Sequence, residues 1–172
     1  KVNALADSLK IDSAGHVTMP LQSAFLCMQT TSIDAETVSD ATVTTVGLNA
    51  EIFDVNADFA NSVFTAPVTG KYQFSGKVGI DTGSSSNTRF DQIVAQIATS
   101  NRIYYFDASG TVYTDSNDKG WSNGSMLADM DANDTATLRI YVKRNGGTGT
   151  TEIARSGDTA GLSTYMSGYL VA

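Results

Sequence analysis

Of the residues that most often build metal sites, redox pairs or sharp chain reversals, this 172-residue sequence holds one cysteine, one histidine and two prolines. Cys27 alone cannot form an intrachain disulfide, so pairing says nothing of redox compartment, and it reads as a small buried hydrophobe. One Cys and one His fall short of a zinc ligand set. His16 lies near the start of the chain, away from the strand-rich remainder, where no Cys-His or Ser-His-Asp set can then be assembled. The sequence therefore reads as a non-enzyme. Long apolar runs are also missing: none approaches the ~18 to 20 residues of a membrane-spanning helix. Basic residues are few, with 11 Lys and Arg against 18 Asp and Glu and a net charge of −7. Such a chain repels phosphate backbones and anionic membrane surfaces, which makes nucleic acid and membrane poor partners. No basic-then-apolar leader follows Lys1, and a start on Lys rather than Met leads us to expect a piece of a longer chain. Two sequons, Asn123-Gly124-Ser125 and Asn133-Asp134-Thr135, are short enough to arise by chance.

What is present is alternation. Runs rich in Val, Thr, Ile, Tyr and Phe are separated by turn signals at about the 8 to 12 residue spacing of all-β sandwiches. Strands are predicted at Ala24–Thr30, Thr42–Leu48, Ile52–Val55, Lys71–Ile80, Ile93–Thr99, Ile103–Phe106, Thr111–Tyr113, Met126–Met130, Ala136–Arg144, Thr150–Ala154 and Thr164–Val171. Phe90, Ile93, Val94 and Ile97 also suit a helix, and their β-rich neighbours decide for strand. Asn145-Gly146 predicts a hairpin between the strands on either side, because such a turn takes positive φ at its centre. Asp12–Gly15 and Asp107–Gly110 have Asp first and Gly fourth, as type I turns prefer, and each should join two short strands.

Residues 1–22 differ from the rest and read as a stalk end and β-hairpin linker, ahead of a main domain at 23–172. Val2, Leu5 and Leu9 keep the three-then-four spacing of a coiled-coil seam. One heptad is too short to stand alone in water, so the trio is either chance or the end of a longer oligomeric stalk. A hairpin over Ile11–Met19 follows, stopped by Pro20.

The other proline stands in Phe64-Thr65-Ala66-Pro67-Val68-Thr69-Gly70-Lys71-Tyr72-Gln73-Phe74. Pro67 fixes φ and cannot donate to a ladder, and Gly70 allows conformations other residues avoid, so the pair marks a corner before a central strand. Tyr72 and Phe74 then share one face of that strand, and Lys71, Gln73 and Ser75 share the other. This stretch resembles the globular head of complement C1q and the related tumour necrosis factor fold. Ile52–Asn56 with Asp58-Phe59 is similar to the segment ahead of that corner, Met130–Ala136 to the turn into a later strand, and Met166-Ser167-Gly168-Tyr169-Leu170 to the last strand. Asn133 departs from the usual Gly, and Met166 from the usual aromatic. Leu9–Pro20 is similar to a module of bacteriophage structural proteins that precedes such a head.

The resemblance implies an all-β jelly roll of about ten strands, assembled as a homotrimer. It implies Tyr72 and Phe74 in the core, with Gln73, Ser75, Met166 and Leu170 approaching the threefold axis. A slip of one residue in that mapping exchanges the two faces completely. Calcium is the cofactor to weigh, at Asp129, Asp131, Asn133 and Asp134, but EF-hand spacing is absent and a solvated acidic turn is favoured, so no cofactor is expected. Trp121, Tyr104, Tyr105 and Tyr113 are candidate receptor contacts, since aromatic rings stack on sugars and anchor interfaces. Against that stand plainer readings, in which alternate members of the Tyr104–Phe106 run fill the core and Trp121 covers its edge. Gly83–Asn87 reads as a loop. The function expected is a trimeric head of a phage tail fibre or related virion appendage, facing outward and attaching to a host glycan or protein receptor. The alternatives are a secreted C1q-like lectin and a purely structural capsid or neck decoration.

Overall fold

A computed structural model of the chain describes residues 9–30, 36–81, 89–106, 109–113, 119–145, 151–154 and 164–171. Apart from one helical turn at Val55–Ala57, their elements are strands. In order these are β1 (Lys10–Ile11), β2 (Val17–Thr18), β3 (Ala24–Met28), β4 (Thr42–Thr45), β5 (Ala50–Asp54), β6 (Phe59–Ala60), β7 (Val63–Thr65) and β8 (Gly70–Asp81). There follow β9 (Arg89–Thr99), β10 (Ile103–Tyr105), β11 (Ser109–Tyr113), β12 (Lys119–Met130), β13 (Thr135–Arg144), β14 (Glu152–Ile153) and β15 (Tyr165–Leu170). A seven-stranded sheet runs β10-β9-β13-β7-β6, with β11 also on β9 and β4 also on β13. A six-stranded sheet runs β12-β8-β15-β3-β5, with β14 also on β8. The arrangement is the all-β sandwich that the alternation and turn spacing anticipate, with the jelly-roll form that the resemblance implies.

Period-two burial explains the sheets. Along β13, Ala136, Leu138, Ile140 and Val142 point inward, and along β8 Tyr72, Phe74, Val78 and Ile80 do so. The ambiguous Phe90–Ile97 run is strand, with Ile93, Ala95 and Ile97 in the core. Between the sheets Phe64 is the hub of an aromatic cluster, its ring centroid 5.0 Å from Phe25, 5.4 Å from Tyr72 and 5.5 Å from Phe74. Rings at such spacing add about 0.5 to 1.5 kcal/mol per pair beyond the area they bury.

Pro67 lies where the chain changes sheets: β7 ends at Thr65 in the seven-stranded sheet and β8 begins at Gly70 in the six-stranded one. The backbone on either side is anchored. Ala66 N–H donates to the Asp134 carbonyl and Asn133 N–H to the Ala66 carbonyl, both at 2.8 Å, and the buried Tyr72 hydroxyl donates to the Val68 carbonyl at 2.7 Å. Burial pushes the Tyr72 phenol above its ordinary pKa, partly offset by that hydrogen bond. Asn133 takes φ 73°, a left-handed conformation that Asn adopts more readily than other side-chain-bearing residues, which is why it can stand at this turn.

Two expectations about connections are corrected. β13 and β14 do not form a hairpin across Asn145-Gly146, because β14 pairs β8 in the opposite sheet. The edges of β13 are already taken, one by β9 and the other by β4 and β7, so β14 has no edge to join. Residues 146–150 lie outside the described part. β10 ends at Tyr105 and β11 begins at Ser109, so Ser109 and Gly110 belong to a strand rather than to the expected Asp107–Gly110 turn, and both strands lie along β9 as successive pieces of one edge. Asp107 and Ala108 are outside the described residues, as is the Gly83–Asn87 loop. A third difference is length: β12 starts at Lys119, seven residues before the predicted strand, since its turn-prone Trp121–Ser125 segment pairs residue by residue with β8.

At the N-terminal side Asp12–Gly15 does join two strands, β1 and β2. Asp12 organises the turn: its Oδ1 accepts from Ala14 N–H at 2.8 Å and His16 N–H at 2.9 Å, and its Oδ2 lies 2.8 Å from His16 Nδ1. Those hydrogen bonds, the one to the His16 side chain foremost, hold the Asp12 carboxyl below its usual range. Ile11 pairs with Val17, and Leu9, Ile11, Val17 and Met19 are all exposed.

Candidate functional site

The outward face of the six-stranded sheet leaves several large apolar side chains uncovered among the described residues. Strand pairing sets its rows. One row runs Ala24, Tyr169, Gln73, Leu127; the next runs Phe53, Leu26, Ser167, Ser75, Ser125. A third carries Met28, Tyr165, Lys77 and Asn123. Tyr169 is 50%, Leu127 49%, Phe53 48% and Trp121 45% exposed. Leu26, Phe53, Gln73, Ser75, Tyr165 and Tyr169 line a shallow depression of about 520 Å³ on this face. Small serines in the middle and bulky residues around them make the surface concave, a shape that admits side chains from another molecule. Gln73 turns its amide back onto its own strand, Nε2 donating to the Phe74 carbonyl at 3.2 Å.

Gln73 and Ser75 therefore occupy the outward face, as the sequence mapping has them. Met166 and Leu170 do not. Met166 is fully buried inside the sandwich and Leu170 packs against the core, because Ser167 pairs with Ser75 and Tyr169 with Gln73. The mapping slips by one residue on β15, and Tyr165, Ser167 and Tyr169 replace Met166 and Leu170 on the outward face. The signal that could have set the register is Gly168. A Cβ there would sit 2.6 Å from Phe74 Cδ1 and 2.8 Å from Phe25 Cε1, so Gly168 must face the aromatic core and its neighbours must face out.

The four aromatic candidates separate. Trp121 lies on β12 opposite Gly79, on the same outward face, with the Lys77 ammonium 5.6 Å from its ring centroid. The indole lies over Gly79, where a Cβ would come within 3.0 Å of its Nε1, so the ring needs a residue without a side chain beneath it. Tyr104 packs against the core, while Tyr105 points outward from the other sheet and is 69% exposed. Tyr113 closes β11 opposite Arg89, and its side chain lies outside the described part. The structure thus does not gather the four into one site.

The acidic turn is bonded within the protein. Asp129 pairs with Arg102 at 3.2 Å, Asp134 Oδ2 accepts from Asn101 Nδ2 at 2.7 Å and from Asp131 N–H at 2.8 Å, and Thr69 Oγ1 lies 3.4 Å from Asp131 Oδ1. These contacts fasten the loop beside the Pro67 corner, a structural use for the same carboxylates.

No protein-family model matches the chain, and no curated protein sequence does. Solved structures do resemble it. The globular domain of zebrafish complement 1qA protein superposes with a TM-score of 0.54 at 15% identity, over 87% of this chain and 98% of that one. Murine APRIL superposes at 0.49 and 11% identity over 87% of this chain and 99% of that one. The Eiger TNF of S. frugiperda gives 0.49 and 12% over 88% and 93%. At such identities the likeness speaks of fold, and the fold is the C1q/TNF-like jelly roll.

Proposed function

We propose that this chain is a non-enzymatic head domain that assembles as a homotrimer through the outward face of its six-stranded sheet. We further propose that it serves as the outward-facing tip of a bacteriophage fibre or related virion appendage, attaching to a receptor on the host surface. One observation carries the proposal: Leu26, Phe53, Leu127, Tyr165 and Tyr169 lie together on a sheet face that no other element among the described residues covers. Surfaces of that kind mark association sites, and copies of the same concave face can cover one another about an axis. The C1q/TNF-like fold supports the self-association, and the likeness of Leu9–Pro20 to a phage module supports the virion setting. Three identical tips would turn weak single contacts into firm attachment through effective concentration.

The test has two arms. Light scattering on the purified chain should return three times the mass of a protomer, and a protomer mass at every micromolar concentration would remove the trimer. Fluorescently labelled protein should then adsorb to susceptible cells and compete with the virion for them. Failure to adsorb by an intact trimer would remove the attachment role and favour a structural decoration.

A further inference from the structure

The hairpin ahead of the sandwich carries a face that the fold leaves bare. Ile11 pairs with Val17, and Leu9 and Met19 lie two residues further out on either strand, so alternation puts all four on one side. Lys10 and Thr18, paired with each other, take the opposite side. Each of the four apolar residues is more than half exposed, from 53% for Met19 to 67% for Ile11. β1 and β2 pair with each other and join neither sheet of the sandwich. A two-stranded hairpin by itself is marginal at best in water, and an apolar face needs a covering layer to make it stable.

The root of the hairpin points to what covers it. Gln22 N–H donates to the Met19 carbonyl and Asn56 Nδ2 to the Leu21 carbonyl, both at 3.0 Å, and Gln22 Nε2 donates to the Leu170 carbonyl. These bonds fasten Leu21 and Gln22 to the end of β15 and to the helical turn after β5. β15, β3 and β5 are adjacent strands of the sheet whose outward face is the proposed trimer contact. The chain enters β3 at Ala24, which opens the outward row that continues through Tyr169, Gln73 and Leu127. The bare hairpin is thus rooted at the margin of that contact in every copy. Charge agrees with this placement. Across residues 9–22 the charged side chains are Lys10 and Asp12, which cancel, so copies can meet here without the repulsion that a net charge of −7 brings to the chain as a whole. A single lysine also makes an anionic bilayer surface a poor cover.

We propose that the Leu9–Met19 hairpin is a second contact of the trimer, its apolar face covered by the same face of the other two copies. Three such ribbons close a neck in which each covers its neighbours, as identical surfaces can do about a cyclic axis. Leu9, Ile11, Val17 and Met19 form its core, and Lys10 and Thr18 stay in water. The Asp12 turn holds the two strands in the register that gathers those four side chains. The inference rests on the homotrimer reading and adds to it a contact made outside the jelly roll.

The test is sedimentation equilibrium on the full chain, beside far-UV circular dichroism. Ile11→Asp combined with Val17→Asp should keep the wild-type spectrum and lower the trimer association constant by about a thousandfold or more. Lys10→Ala combined with Thr18→Ala, on the other face, should leave it unchanged. Independently, Val17→Cys treated with a short bismaleimide should cross-link protomers far more than Thr18→Cys does, with the native thiol of Cys27 protected by burial. A protomer mass for the wild-type chain at every micromolar concentration would remove the trimer and this contact together. A wild-type trimer whose affinity survives the paired Asp substitutions, or in which Val17→Cys cross-links no more than Thr18→Cys, would overturn the hairpin contact alone. The sheet face would then stand, and the hairpin would belong to a different molecule.

Discussion

Replacing Leu127 with aspartate separates a surface that is simply exposed from one that is covered by other copies. In a lone protomer the side chain is 49% exposed and stands opposite Gln73, so a carboxylate there remains hydrated. Stability should change by no more than about 0.5 to 1 kcal/mol. In a trimer joined through this face, the half of the leucine that each protomer leaves in water is buried, and losing it costs about 1 kcal/mol per copy. An unpaired carboxylate carried out of water adds several more. Taking about 4 kcal/mol per copy, threefold symmetry raises the cost to about 12 kcal/mol per trimer, more than eight powers of ten in the association constant. Sedimentation equilibrium, run beside far-UV circular dichroism, reads both quantities. Leu127→Asp should sediment as a protomer with the wild-type spectrum, and Ile103→Asp, exposed on the other sheet, should remain trimeric. A Leu127→Asp protein that stays trimeric at wild-type affinity would refute the assignment of this face.

Three further outcomes concern the core that holds the face in place. Tyr72→Phe removes the hydroxyl that anchors Val68 at the corner and should cost about 1 kcal/mol, read as a fall of about 2 to 4 °C in calorimetric melting temperature. Met166→Ala should cost about 2 to 5 kcal/mol by denaturant unfolding even in a monomeric background such as Leu127→Asp, because Met166 is core rather than interface. An effect confined to the trimer would contradict that placement. The buried Cys27 thiol, pushed up from 9.0 to about 12 by burial and then by the negative charges of Glu51 and Asp54, should resist Ellman's reagent until the protein unfolds. Its raised pKa favours the protonated thiol in the folded state. That contribution is complete below pH 9 and is lost as pH climbs through 9 toward 12, and Cys27→Ala should flatten this part of the stability curve.

How much of this could be read from the residues depends on which contacts are local. The Pro67 corner and the strand after it were legible because a proline, a glycine and alternating aromatics act on their own backbone within a few residues. The Asp12 turn was legible for the same reason, since its carboxylate bonds within four residues. The Asn145-Gly146 hairpin failed because turn chemistry shows where a chain can reverse, but whether a neighbouring edge is free depends on strands far away in sequence. Here β4, β7 and β9 had already filled both edges of β13. Trp121–Ser125 failed similarly: Ser, Asn and Gly carry little strand preference, and pairing with all of β8 overrides it. The face of β15 was lost by a single residue, the smallest error a period-two element allows and also the largest in effect, because it moves every side chain to the other side. Gly168 could have set it, yet only once Phe74 and Phe25 are known to press on that position from two other strands.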